Sequence, residues 1–213
     1  RNWSGALTMN NGTVNGNGTG DFGAGSYTLS GINTISGVEI SSGSGVFDVT
    51  SGTTTLSTAR ITYSVANPGL LTKNGTGTLL LNGNNTYTAG TTINAGTLEI
   101  GSAGRLGAGS YSGNISNEGT IIYSGTNNQT LSGIISGTGA LTHNSTGTLT
   151  LTGANTYNGT TTINAGTLTV DGGGRLGTAG TYSGSISIAS GGTLLYNGTN
   201  TQTLAGAISG GGN

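Results

Sequence analysis

The sequence predicts an all-β chain organised as a parallel β-solenoid. Three observations carry this: a translational repeat of about 70 residues, short strands that alternate polar and apolar residues, and glycine at nearly every corner between them. Of 213 residues, 45 are Gly, 1 is Pro and 5% are charged. No helical spacing of apolar residues persists, and glycine recurs too often for helices.

The repeat is the dominant signal. Residues 71–137 recur at 141–210. Leu71-Thr72-Lys73-Asn74 returns as Leu141-Thr142-His143-Asn144, and Thr76-Gly77-Thr78-Leu79 as Thr146-Gly147-Thr148-Leu149. The octet from Thr91 to Leu98 returns unchanged from Thr161 to Leu168. A few inserted residues follow, after which Tyr123 matches Tyr196 and Gln129-Thr130-Leu131 matches Gln202-Thr203-Leu204. Residues 1–70 are more degenerate, although Gly23-Ala24-Gly25-Ser26-Tyr27 repeats at Gly107-Ala108-Gly109-Ser110-Tyr111. The chain is therefore expected to be one solenoid domain over 1–213. It comprises degenerate coils (1–70), a first copy (71–140) and a second copy (141–213).

A 70-residue unit is too long for one coil and is expected to hold about three. Comparable strand positions at Leu71, Leu98, Ile121, Leu141, Leu168 and Leu194 lie roughly 20–27 residues apart, which gives about nine coils. Leu98, Ile121, Leu141 and Leu168 are expected to stack in one inward row. Thr97-Leu98-Glu99-Ile100 and Thr167-Leu168-Thr169-Val170 have the two-residue period of half-buried strands. Leu98, Ile100, Leu168 and Val170 are expected to point in, and Thr97, Glu99, Thr167 and Thr169 out. Asn94-Ala95-Gly96 and Asn164-Ala165-Gly166 are expected to be corners with stacked or tightly packed asparagines. Antiparallel sandwiches and barrels also use short strands. The scarcity of Asn-Gly hairpins between matched strands, and the translational form of the repeat, favour coils stacked on like coils.

Composition also excludes classes of function. A formal charge of −1 provides no steering toward nucleic acid or an anionic membrane. No apolar run approaches the roughly 20 residues that span a bilayer. With no cysteine and one histidine, a thiolate or zinc site is not expected, and no cofactor is implied. The acids Asp21, Glu39, Asp48, Glu99, Glu118 and Asp171 are scattered, with no two within four residues, so no carboxylate pair for acid–base chemistry is legible. His143 replaces Lys73 at the matching place, which reads as an exposed strand end. Asp171-Gly172-Gly173-Gly174 lacks the repeated Asp of a calcium-binding array and reads as a turn. Arg105 and Arg175, each inside Gly-Arg-Leu-Gly, are expected to hydrogen-bond carbonyls of a neighbouring coil. Tyr87 and Tyr157 sit between two strands of each copy. Exposed, they are the candidate surface-binding residues for a glycan or protein; folded over the coil, they are structural.

The run from Gly147 to Val170, with a second copy from Gly77 to Ile100, resembles the passenger-associated transport repeat, also called the autotransporter-associated β-strand repeat. The resemblance implies a right-handed parallel β-helix, exported through the outer membrane of a Gram-negative cell and displayed at its surface. The translocator barrel and export signal of that family are not in this sequence.

Functionally, the repetition and the lack of a legible site predict a structural stalk or adhesin segment, cell-surface or extracellular, and not an enzyme. A glycan- or host-binding module is the alternative. Ice binding through outward threonines is weakened by interruptions at Ile122 and Leu195, and a polysaccharide-degrading enzyme by the scatter of acids. Ile208-Ser209-Gly210 matches Ile135-Ser136-Gly137, with a further strand due, and Arg1-Asn2-Trp3 begins without an obvious cap. The chain is therefore expected to continue a longer rod, or to stack end to end on copies of itself as a fibre.

Overall fold

The computed structural model describes residues 2–3, 7–22, 25–40, 45–57, 60–61 and 69–213; for 2–3, 15–22, 25, 37–40 and 60 it describes the backbone alone. Arg1 and the Gly23-Ala24 end of the early repeat lie outside these residues. The strands form a parallel β-solenoid. A 15-stranded sheet and a 7-stranded sheet carry most of the pairing, and every pair of named strands is parallel.

Each regular coil has three short strands on three faces. The coil after Asn114 shows this plainly, with Ile115–Asn117, Thr120–Tyr123 and Gln129–Leu131 in turn. Ile115–Asn117 pairs within the 7-stranded sheet, here the first face. Thr120–Tyr123 pairs with Thr97–Ile100 below and Ala140–His143 above, on the second face. Gln129–Leu131 pairs with Ser110–Tyr111 and Thr148–Leu151, on the third. The inward column of the second face runs Val14, Ile35, Leu56, Leu81, Ile100, Tyr123, His143, Ile163 and Ile188. Its members are 19–25 residues apart, close to the expected 20–27. The described residues make between eight and nine coils, against nine expected, each adding about 4.8 Å along the axis.

The alternation read from sequence holds. Leu98, Ile100, Leu168 and Val170 are buried, while Thr97, Glu99 and Thr167 are partly exposed between them. Thr169 differs: it is only 8% exposed, covered between Thr150 and Leu195 on adjacent coils.

The single row of leucines does not form. Leu98, Ile121 and Leu141 do stack on the second face, but the next rung is Thr161. Leu168 stacks instead on Leu149 and Leu194 on the third face, and Leu71 pairs with Thr91 on the first. The cause is the coil length. Leu71 and Leu141 are equivalent in sequence, yet lie on the first and second faces; Leu79 and Leu149 lie on the second and third. At this coil length the 70-residue repeat spans three and one-third coils, not three. Each copy is therefore turned by one face relative to the copy before it.

The corners behave as expected. Gly96 and Gly166 have φ of 67° and 64°. A Cβ on Gly96 would sit 2.5 Å from both the Gly75 and Gly77 carbonyl oxygens, so no other residue fits the stacked corner. Two residues earlier, Asn94 Nδ2 donates to Asn74 Oδ1 at 2.7 Å, and Asn164 Nδ2 to Asn144 Oδ1 at 2.6 Å. These are stacked amides at the surface of adjacent coils.

Candidate functional site

Tyr87 and Tyr157 are fully buried, so neither is a surface-binding residue. Each folds over its coil because a hydroxyl partner waits inside. In the second copy, the Tyr157 hydroxyl lies 2.8 Å from Thr161 Oγ1, which lies 2.7 Å from the Tyr182 hydroxyl. Tyr182 in turn donates to the Gly159 carbonyl. A carbonyl cannot donate, so the chain has one direction: Tyr157 to Thr161, Thr161 to Tyr182, Tyr182 to Gly159. The first copy repeats the arrangement, with Tyr87 and Tyr111 each 2.9 Å from Thr91 Oγ1. The ring pairs meet edge to face at 5.3 and 5.4 Å.

Burial pushes the Tyr87 and Tyr157 phenols well above their ordinary pKa, and Tyr111 up to about 12. These groups stay neutral at physiological pH. Each triad is a lock between coils. Thr91 and Thr161 were not legible as its centre from composition. The recurrence of Ser110-Tyr111-Ser112-Gly113 as Thr181-Tyr182-Ser183-Gly184 was the available signal for the partner tyrosines.

Lys73 and His143 are not exposed strand ends: both are fully buried, on the inward columns. The same corner is solved twice, with different chemistry. Lys73 Nζ donates to the carbonyls of Asn74, Gly75 and Ala95 at 2.7, 2.8 and 3.3 Å. Gly75, at φ 73°, belongs to the turn that supplies two of these acceptors. Burial lowers the Lys73 pKa to about 8, with Asp48 pulling it back up. In the second copy Ser145 replaces Gly75, and its Oγ accepts from Gly147 N–H. His143 Nε2 then lies 3.2 Å from the Gly147 carbonyl, and its ring stacks on Tyr123.

Several inward amides bridge coils. Asn85 accepts from Ile61 N–H and donates to the Gly83 and Arg105 carbonyls; Asn155 repeats this with Ile135, Gly153 and Arg175. Gln129 takes both the N–H and the carbonyl of Leu106, as Gln202 does those of Leu176. Buried amides of this kind satisfy backbone groups that the ladder leaves open.

The remaining candidates stay apart. Arg105 Nη2 donates to the Asn127 side-chain oxygen on the next coil, not to a carbonyl of the backbone. Asp171 closes a turn, with its carbonyl accepting from Gly174 N–H and Oδ1 accepting from Gly172 N–H and Asn197 Nδ2. Among the described residues no three His, Cys, Asp or Glu side chains gather as metal ligands. The side chains of Asp21 and Glu39 lie outside those residues. Glu118 is exposed and accepts from Thr138 N–H and Oγ1, which lowers its pKa. Among the described residues no helix is long and apolar enough to cross a membrane.

The family model of the passenger-associated-transport-repeat matches residues 22–44, 71–100 and 141–170. The chain is also 38% identical over 203 residues to a protein of Brucella suis biovar 1 (strain 1330) named "Adhesin BmaC autotransporter". That alignment takes in 95% of this chain and 5% of the relative, so the chain spans a small part of the relative's length. No solved structure matches the chain significantly.

Proposed function

We propose that this chain, a member of the passenger-associated-transport-repeat family, is a rigid stalk segment of an adhesin of the autotransporter kind. On this reading it is exported across the outer membrane, displayed at the cell surface, and catalyses no reaction. The observation that carries the reading is the inward column from Val14 to Ile188, one continuous parallel stack of side chains. A core of this kind transmits length and stiffness. The similarity to a named autotransporter adhesin supports the setting.

Any contact with a glycan or host surface falls to the outward faces, since Tyr87 and Tyr157 are internal. On the first face Thr72, Thr92, Ser116 and Ser136 form an outward hydroxyl ladder. Its sequence equivalent, Thr142, Thr162, Ser187 and Ser209, lies on the second face. Successive repeats therefore present like surfaces in different directions around the rod, which suits a spacer better than a one-sided binding wall.

The test is replacement within the full-length protein on its own cells. Antibodies raised to this chain should label intact cells, and exchanging the segment for an unrelated solenoid of equal length should preserve adhesion. Labelling that requires permeabilised cells overturns the surface reading. Adhesion lost in the exchange, with surface display retained, makes the segment a binding module instead.

A further inference from the structure

His143 is the one side chain of ordinary pKa near neutrality in the sequence, and it sits inside the rod. Its ring lies 5.9 Å from that of Tyr123 on the coil below, at 13°, and its rung on the coil above is Ile163. Nε2 faces the Gly147 carbonyl, so the neutral ring carries its proton there. Nδ1 is buried with no hydrogen-bond partner among the described residues. A second proton would create a buried N–H with no acceptor on a buried cation. The first copy shows what holding a cation at this corner requires. There Lys73 has three carbonyl acceptors and Gly75 in the turn that supplies two of them. The second copy has Ser145 instead, and its hydroxyl is turned to Gly147 N–H.

The groups packed around His143 offer no compensation. Tyr123 below is neutral and donates to the Asn127 carbonyl, and the charge that bears on it is a cation, Arg105. Ile163 above and Leu141 on the same strand are apolar, and among the described residues no carboxylate acts on the ring. Burial lowers the His143 pKa, and the Gly147 carbonyl only partly opposes it. The packing beside Tyr123, the ring below His143, is also incomplete. An apolar void borders Tyr123, lined in part by Leu98, Ile100, Ile121, Gln129 and Leu149.

We propose that His143 is an acid-sensitive break point, at which the coils through Thr120–Tyr123, Ala140–His143 and the strand from Thr161 open locally in mildly acidic solution. A histidine with a lowered folded pKa leaves stability intact above the unfolded value of about 6.5, and stability falls as pH drops below it. The loss reaches about tenfold in the opening equilibrium per pH unit, until the folded pKa is passed.

The experiment uses the 213-residue chain. Proton NMR follows the single histidine signal from pH 8 to 4.5, and hydrogen exchange compares amides of 140–163 with those of 78–100. The expected results are a midpoint below about 6.5 and a selective loss of protection at 140–163 once intrinsic exchange is corrected for pH. His143→Phe should remove that loss, since Phe47 already stacks on Tyr27 at 4.7 Å and 20° in the same kind of column. A midpoint at or above about 6.5, or protection at 140–163 that does not change between pH 7.5 and 5, overturns the proposal. Both readouts are taken on the unmodified chain, so they decide it even where the Phe variant fails to fold.

Discussion

Thr161→Val tests whether the tyrosine triad locks the coils. The substitution keeps shape and removes one hydroxyl, which serves Tyr157 at 2.8 Å and Tyr182 at 2.7 Å. Tyr182 keeps the Gly159 carbonyl as its acceptor. Tyr157 loses its partner while fully buried. An orphaned buried hydroxyl costs about 1–3 kcal/mol, and a second lost bond about 1 kcal/mol more, so a total near ~3 kcal/mol is expected. Tyr157→Phe removes the outer donor alone and leaves Thr161 bonded to Tyr182, so it should cost only ~1 kcal/mol. The double variant should be less destabilised than the sum of the two, because without the Tyr157 hydroxyl there is no orphan. Urea unfolding followed by circular dichroism reads all four corners of the cycle, with the slope checked for constancy. A Thr161→Val cost under ~0.5 kcal/mol, or strict additivity, would refute the lock.

Three further outcomes follow from the same geometry. Leu168→Asp should destabilise by at least ~3 kcal/mol, through lost burial and a charge placed in the core, while Thr150→Asp on the outward side of the paired strand should change stability by no more than ~0.5 kcal/mol; equal unfolding midpoints would contradict the assignment of sides. Gly96→Ala should lower the thermal midpoint more than Ala95→Ser, because its Cβ meets two carbonyl oxygens at 2.5 Å and its φ is 67°; calorimetry checks the order. Raised phenol pKa values mean that stability is intact below the unfolded value near 10 and is lost as pH rises above it. Ultraviolet titration should accordingly show Tyr87 and Tyr157 ionising only together with alkaline unfolding, and their free titration in the folded chain would contradict their burial.

Much of the architecture is local and was therefore readable in the residues. The two-residue alternation in 97–100 and 167–170 sets which side chains turn inward, and this is a property of a strand alone. The Asn-Ala-Gly corners carry their own instructions, an amide to stack and a glycine for positive φ. The scatter of acids and the lack of cysteine bounded the chemistry. What the residues could not settle was phase. Coil length varies between 19 and 25 residues, so a repeat of 70 need not close on a whole number of coils. The remaining third of a coil carries Leu168 off the row of Leu98, Ile121 and Leu141. The same limit hid the fate of Tyr87, Tyr157, Lys73 and His143. A tyrosine between strands is an exposed anchor or an internal lock according to what the neighbouring coils bring to its hydroxyl, and Thr161 and Tyr182 lie 4 and 25 residues further on. A basic residue at a strand end reads as surface until backbone carbonyls from two coils surround it. Local propensity thus fixed the strands, sides and corners of this protein, whereas its faces and buried polar pairs were decided only when the coils stacked, because those properties belong to contacts between residues about twenty apart.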